Sequence, residues 1–385
     1  MYDTYEWNYP IRCAKCLTLS MRNFNQIKLD KENKILHPQT GATWAQIQQF
    51  LDKEGLAVKA MQSINIFTVG GTISVNAHGM DHNAGQIAPT VKSLRVMLSS
   101  GEVKTASPTE NPDLFRHVLG GYGLFGVILD ADIQVTDNEM YKRDISYIDY
   151  HDFTTYYERN IENNPEYRLF FARFSVSPHS YLKELALHHY KRLPPSSEIQ
   201  QITPLEITDQ SWTHRLVWNI SKLGRLGRSI RWALEKYVEP KLHRCTMSRN
   251  ESMSQPEVCL VSRNQEMYDA VKNLRVRLPD TDILQEYFVP RDNLVYFVDG
   301  LRRVVEINGA NLLNATVRIV PKDTHTALPY AKKDMFAFVL YFNQKLNEKE
   351  SRVLQKTTTD LIDLAASLNG TYYLPYQLYY SQEQL

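Results

Sequence analysis

Nine of the chain's sixteen glycines fall between residues 70 and 126, at positions 70, 71, 79, 85, 101, 120, 121, 123 and 126. Glycine inside a helix or strand weakens it, so such a cluster breaks the segment into short elements joined by tight turns. Between the glycines lie β-like runs at Ser93–Leu98, Glu102–Ala106 and Gly126–Ile133, the first two forming a hairpin about Ser99-Ser100-Gly101. Two glycine loops flank that hairpin. In Val69-Gly70-Gly71-Thr72-Ile73-Ser74 the adjacent glycines let backbone N–H groups approach a ligand's phosphates with no Cβ in the way, and Thr72 and Ser74 add hydroxyl donors. Small residues continue through Ala77 and Gly79. The second loop, Gly120 to Gly126, directly precedes an apolar strand. The pair suits a long ligand with a phosphate part and a planar part. Neither loop is a Walker motif or a strand-to-helix GxGxxG, and two tight turns in a β-rich domain account for the same spacing.

The flanks are more ordinary. Residues 34–59 read strand, turn, helix, strand: Thr43 is the expected N-cap, and Trp44, Ile47 and Leu51 repeat at helical spacing before Gly55. Asn111-Pro112-Asp113 opens a further helix. After Val135 glycine thins out and aromatics increase, which places a domain boundary at 136–140. The runs Arg168–Phe174, Leu284–Pro290 and Asn314–Val320 read as strands and Asn293–Asn308 as a helix. The expectation is an α+β chain of two domains, 1–138 and 139–385, the second built on an antiparallel sheet. Residues 211–244 stand apart, with eight Lys or Arg, two Glu and three Trp.

At 385 residues the chain suits two cores. Its 44 Lys and Arg against 43 Asp and Glu leave a net charge of +1, which offers nucleic acid no attraction. Cys13, Cys16, Cys245 and Cys259 are too scattered for a disulfide framework, and the CxxC at 13–16 lacks the second pair a zinc site needs. A reduced, cytoplasmic location follows. No apolar run approaches membrane-spanning length, and the first 20 residues are too acidic and aromatic for an export signal. His78, Asp81 and His82 lack the further ligands of a metal site, so no metal is expected. The basic stretch reads either as an amphipathic helix lying on an anionic membrane or as a solvated helix whose Trp residues pack on the domain.

The text VGGTISVNAHGMDHNAGQIAPTVKSLRVMLSSGEV, followed by ENPDLFRHVLGGYGLFGVILDADIQV, resembles the FAD domain of the vanillyl-alcohol oxidase or p-cresol methylhydroxylase (PCMH) family. Within it the likeness is greatest to sugar-lactone oxidases and decaprenylphosphoryl-ribose oxidase. It covers residues 20–140 well and 270–385 loosely, through LQEYFVP and LNGTYYLPYQLYYSQEQL. The resemblance implies FAD as cofactor. Gly70, Gly71, Thr72 and Ser74 would line its pyrophosphate and ribityl part, and His78 and Gly79 its isoalloxazine ring. Gly121, Gly123, Gly126 and the main chain of Val127 and Ile128 would border the adenine side. It also implies an oxidoreductase taking hydride from a carbinol of a small sugar-like molecule: a sugar, alditol, aldonolactone or lipid-linked sugar. The earlier phosphate loop of the family is missing or altered here, and MYDTYEWNYPIRCAKCLT has no glycine, so the FAD domain is expected to be incomplete at its amino end. The carboxyl end is short against the family as well. A catalytic Lys of some relatives aligns with Tyr376, leaving Tyr373, Tyr376, Gln377 and Arg318 as the polar candidates for the substrate face. The alternative is a truncated or inactive relative acting as a binding module.

Overall fold

Thr43 opens the first helix, α1 (Trp44–Asp52), through a capping box in which its side chain accepts from the Gln46 N–H while Gln46 reaches back to the Thr43 backbone. Trp44, Ile47 and Leu51 point inward at the expected spacing and are buried. The computed structural model describes residues 19–193, 204–205, 222, 224–238, 260–269 and 280–385. The first 18 residues, all four cysteines, and Trp212 and Trp218 of the basic stretch lie outside the described residues.

Around α1 the chain forms β1 (Ile27–Asp30), β2 (Ile35–Pro38), β3 (Leu56–Val58), helix α2 (Val69–Ser74), β4 (Val91–Met97), β5 (Val103–Ala106), α3 (Pro112–Val118) and β6 (Val127–Asp137). The strands make one antiparallel sheet in the order β1-β2-β6-β4-β5, with β3 also on β6. The β4–β5 hairpin forms as the sequence expects. The first glycine loop is where expectation and structure part: Val69–Ser74 is a short helix, not a tight turn. Thr68 caps it from an extended conformation, and Val69 and Ile73 anchor it in the core.

β6 ends at Asp137 in the first sheet and β7 (Met140–Asp149) begins the second. There follow α4 (Phe153–Asn160), β8 (Tyr167–Phe174), β9 (Glu184–Arg192), α5 (Gly224–Ala233), β10 (Leu260–Ser262), α6 (Arg263–Asp269), β11 (Asp280–Pro290), α7 (Leu294–Asn308), β12 (Asn311–Val320), β13 (Met335–Lys345), α8 (Glu348–Ser367) and β14 (Thr371–Tyr372). The eight strands run β10-β7-β9-β8-β12-β13-β11-β14, all antiparallel. Side chains alternate across such a sheet. One face (Tyr287, Val289, Val317, Phe336, Phe338) buries against Phe297, Leu301, Leu361 and Ile362 of α7 and α8. The opposite face is polar where the registers align Arg173 with Thr316, and both Thr316 and Glu286 with Val339. That face turns toward the first lobe. Phe170 N donates to Met80 O (2.9 Å), Gln86 Nε2 to Pro321 O (2.8 Å) and Ala327 N to Arg116 O (2.8 Å). Arg263 joins Asp81 in a buried ion pair and donates to the carbonyls of Val58 and Lys59.

Candidate functional site between the two lobes

The start of α2 shows how the glycines divide their work. Gly70 N–H donates to Thr40 O (2.9 Å), and Gly71 N–H donates to Thr68 Oγ1 (3.3 Å). The Thr72 hydroxyl is buried, accepts from Trp44 Nε1 (2.7 Å) and donates to Gln62 Oε1 (2.9 Å). The expected phosphate donors at 70–72 are thus engaged within the lobe. Gly79 has a different duty: a Cβ there would sit 1.9 Å from Met61 O, so only glycine lets these two backbones touch. A Cβ at Gly121 would meet His117 O at 1.9 Å and one at Gly126 Met97 O at 2.8 Å. Val127 and Ile128 spend their main chain pairing with Met97 and Val96. Gly79, Gly121, Gly126, Val127 and Ile128 thus serve the framework of the lobe as well.

Gly71 and Gly123 are exposed, and no backbone crowds the Cβ direction of either. Ser74 is half-buried beside them. The two glycine segments adjoin, since Gly120 N donates to Ile73 O (3.0 Å) and Tyr122 N to Ser74 O (2.8 Å). Around them Ile66, Phe67, Leu124 and Phe125 leave 59%, 43%, 75% and 37% of their surfaces in solvent. This is open backbone framed by exposed apolar side chains.

Past α2 the chain crosses to the second lobe. Asn76 takes the left-handed conformation (φ 47°), which Asn tolerates, and its side chain accepts from Ala88 N and donates to Asp323. That turn delivers His78 to Glu286 of β11, Nε2 to Oε1 at 2.6 Å, both buried. The other Glu286 oxygen accepts from the Tyr376 hydroxyl at 3.2 Å. Arg318 from β12 donates to Ser63 Oγ (2.7 Å) and adds its charge to the same site. Phe288, Tyr330 and Tyr373 ring His78 at 5.6, 6.2 and 6.4 Å. Tyr373 donates to Val75 O and Tyr330 to Asn76 O, each at 2.7 Å, so both tie the lobes together.

Burial alone would push the Glu286 carboxyl up. His78, Arg318 and the Tyr376 hydrogen bond outweigh it and hold the group below its usual range. Burial and the Glu286 charge push Tyr376 well above an ordinary phenol, and Tyr373 likewise through burial and Tyr330. Both hydroxyls donate here, Tyr376 to Glu286 and Tyr373 to Val75 O. Gln377 lines a small cleft with Glu286, Tyr373 and Tyr376. Of the four residues expected on the substrate face, Arg318 and Tyr376 meet at Glu286, Tyr373 braces the lobes, and Gln377 lies on the cleft wall. Glu286 was missed. Its signal was a carboxylate inside the otherwise strand-like LQEYFVP. Ser63 and Tyr330 carried no such signal.

His78 and His82 do not converge, since His82 sits between the Tyr157 hydroxyl and Tyr167 O. Among the described residues no group of three or more His, Cys, Asp or Glu is placed to hold a metal. Two buried polar atoms of this site are left over: with Nε2 on Glu286, His78 Nδ1 has no hydrogen-bond partner among the described residues, and neither has Arg318 Nε. An orphaned ring nitrogen, exposed glycine backbone and exposed apolar side chains are groups that a long, partly planar ligand could use.

Residues 7–107 match the family model of the FAD binding domain. The chain is 32% identical over 122 residues to a putative D-arabinono-1,4-lactone oxidase of Neurospora crassa, covering 31% of this chain and 22% of that protein. It is 32% identical over 126 residues to the decaprenylphosphoryl-beta-D-ribose oxidase of Mycolicibacterium smegmatis, covering 32% and 27%. Against cytokinin dehydrogenase 8 of Oryza sativa subsp. japonica the identity is 42% over 94 residues, covering 24% and 18%. The matched segments span about a fifth to a quarter of these relatives' lengths.

Proposed function

We propose, from the premise that the chain carries an FAD-binding domain of the p-cresol methylhydroxylase type with FAD as its cofactor, that it oxidises a carbinol carbon of a sugar, alditol, aldonolactone or lipid-linked sugar. The observation that carries this reading is the buried His78–Glu286–Tyr376 constellation, built from both lobes. When bound, FAD supplies the hydride acceptor. The chain's own residues supply the rest. Glu286, held ionised, takes the substrate hydroxyl proton on a carboxylate oxygen. Tyr376, held protonated, orients that carboxylate through its hydrogen bond. Arg318 places positive charge where the substrate oxygen becomes negative. His78 offers Nδ1 to the cofactor while Nε2 fixes Glu286. Gly71, Ser74 and Gly123 provide the open backbone and hydroxyl against which the cofactor lies.

A visible absorbance scan of the purified chain, followed by anaerobic addition of an aldonolactone and alditol panel, tests the proposal. Flavin bands that bleach with one of these compounds are expected. A coloured protein that no carbinol bleaches but an amine substrate does would overturn the substrate assignment. A second reading, an inactive relative serving as a binding module, draws on the N–H groups of Gly70 and Gly71 being already engaged. A colourless chain that takes up no added FAD would establish it instead.

A further inference from the structure

In the reaction proposed above, the carbinol gives up hydride from carbon and a proton from oxygen. The proton is left on Glu286, which must be a carboxylate again before the next substrate arrives. Glu286 is only 4% exposed, so a neighbour has to take the proton onward. Arg318 carries donors only and cannot accept it. Tyr330 and Tyr373 spend their hydroxyl protons on Asn76 O and Val75 O. His78 holds Oε1, but a proton handed through its ring would emerge at Nδ1, buried and without a hydrogen-bond partner among the described residues.

Tyr376 is different. Its hydroxyl meets Glu286 Oε2 at 3.2 Å, and a hydroxyl can accept one proton while it gives up another. Tyr376 also lines the cleft shared by Glu286, Gln377, Tyr372 and Tyr380, at the edge of β11 where β14 pairs with Tyr287 and Phe288. That cleft has room for about one water molecule, and the Tyr376 hydroxyl, the Gln377 amide and the Glu286 carboxylate are polar partners for it. Its far wall belongs to the C-terminal segment, where Tyr372, Gln377 and Tyr380 are half-buried and Pro375 and Leu378 are exposed. The cleft therefore joins a buried carboxylate to residues that touch solvent.

We infer that the Tyr376 hydroxyl and one water held against Gln377 form the proton exit of Glu286. The inference rests on Glu286 being the group that takes the substrate proton. As Glu286 gives its proton to the phenol oxygen, the phenol gives its own to the water, which passes one on to solvent. One O–H bond forms at Tyr376 while another breaks, Glu286 returns to a carboxylate, and rotation of the hydroxyl resets the path. Tyr376 stays neutral throughout, as burial and the Glu286 charge favour.

The test follows exchange with water of the His78–Glu286 hydrogen-bond proton, in the downfield proton NMR spectrum of the full chain without cofactor or substrate. Loss or movement of the signal in Glu286→Gln assigns it. Tyr376→Phe keeps the ring and removes the hydroxyl, and should slow the exchange at least about ten-fold. A signal too broad to see in the wild type and visible in the variant gives the same support. Should Tyr376→Phe lower the melting temperature, slower exchange in Gln377→Leu carries the reading. Equal exchange in the wild type and both variants, or a signal absent from all three, overturns the inference. In the FAD-loaded chain, a pH-indicator dye should record proton release in step with bleaching for the wild type and behind it for Tyr376→Phe. Release that keeps pace in the variant also overturns it. If no carbinol bleaches the flavin, the function proposed above falls, while the exchange measurement still reads the path from Glu286.

Discussion

Glu286 is an ionised carboxylate inside the protein, held by His78, Tyr376 and the charge of Arg318. Glu286→Gln keeps the shape and removes the proton acceptor. Flavin absorbance should persist while substrate bleaches it about 10²- to 10⁴-fold more slowly, measured by stopped-flow reduction. Unchanged rates would remove Glu286 from the chemistry. The glycines give a second contrast. At Gly79 a Cβ would collide with Met61 O, so Gly79→Ala should cost about 3 kcal/mol or more in chemical denaturation. At Gly71 the space is open and the residue lies in a helix, so Gly71→Ala should leave stability level or slightly raised. Its expected loss is in FAD affinity, read by fluorescence titration. Sequence spacing presents these two glycines as equivalent. The distinction depends on which backbone crosses behind each one, and no local pattern contains that.

At the scale of elements, β9 carries His188 and His189 on its two faces. Burial, with Asp144 only partly opposing, pushes His189 down to about 4, and burial with Arg143 and Arg173 nearby takes His188 well below its ordinary value. The fold favours the neutral ring in both cases. As pH falls below about 6.5 the unfolded chain takes up protons first, so stability should be lost progressively from there toward pH 4. His189→Phe should remove part of that loss, up to about 3 kcal/mol, in denaturant midpoints measured across this range. An acid profile identical to the wild type would contradict the assignment. Elements with a local signal were readable in advance: α1 from its Thr43 N-cap and periodicity, the β4–β5 hairpin from its turn, α7 from its apolar stripe. α2 was not. Its two glycines argue against a helix, and it forms because Thr68 caps it and Val69 and Ile73 bury beneath it.

For the molecule as a whole, the tie between lobes is the feature a sequence hides best. Strand order β10-β7-β9-β8-β12-β13-β11-β14 sets Glu286 beside Tyr372 and Tyr373, although nearly ninety positions separate them. Tyr373 to Val75, Tyr330 to Asn76, Asn76 to Asp323 and Arg263 to Asp81 then bind the second lobe to the first. Calorimetry should therefore record one cooperative transition for both lobes, and Asn76→Ala should lower its midpoint by a few degrees, about 1–3 kcal/mol for the buried partner left unsatisfied. Two separated transitions would mean that the lobes are independent.

The bond between Val75 and Tyr373 spans 298 positions. On a ribosome the glycine lobe emerges first and has time to fold while the strands that meet it are still unmade. Until residues 371–376 appear, His78 has no aromatic ring from Tyr373 beside it and Glu286 no phenol to steady it. The nascent chain would thus expose a half-built cleft until those residues are made, and closing so long a loop would be a slow step. Cofactor present at that moment would meet a surface still open on one side, which makes the supply of FAD during synthesis, and not only afterwards, a determinant of how much finished protein accumulates.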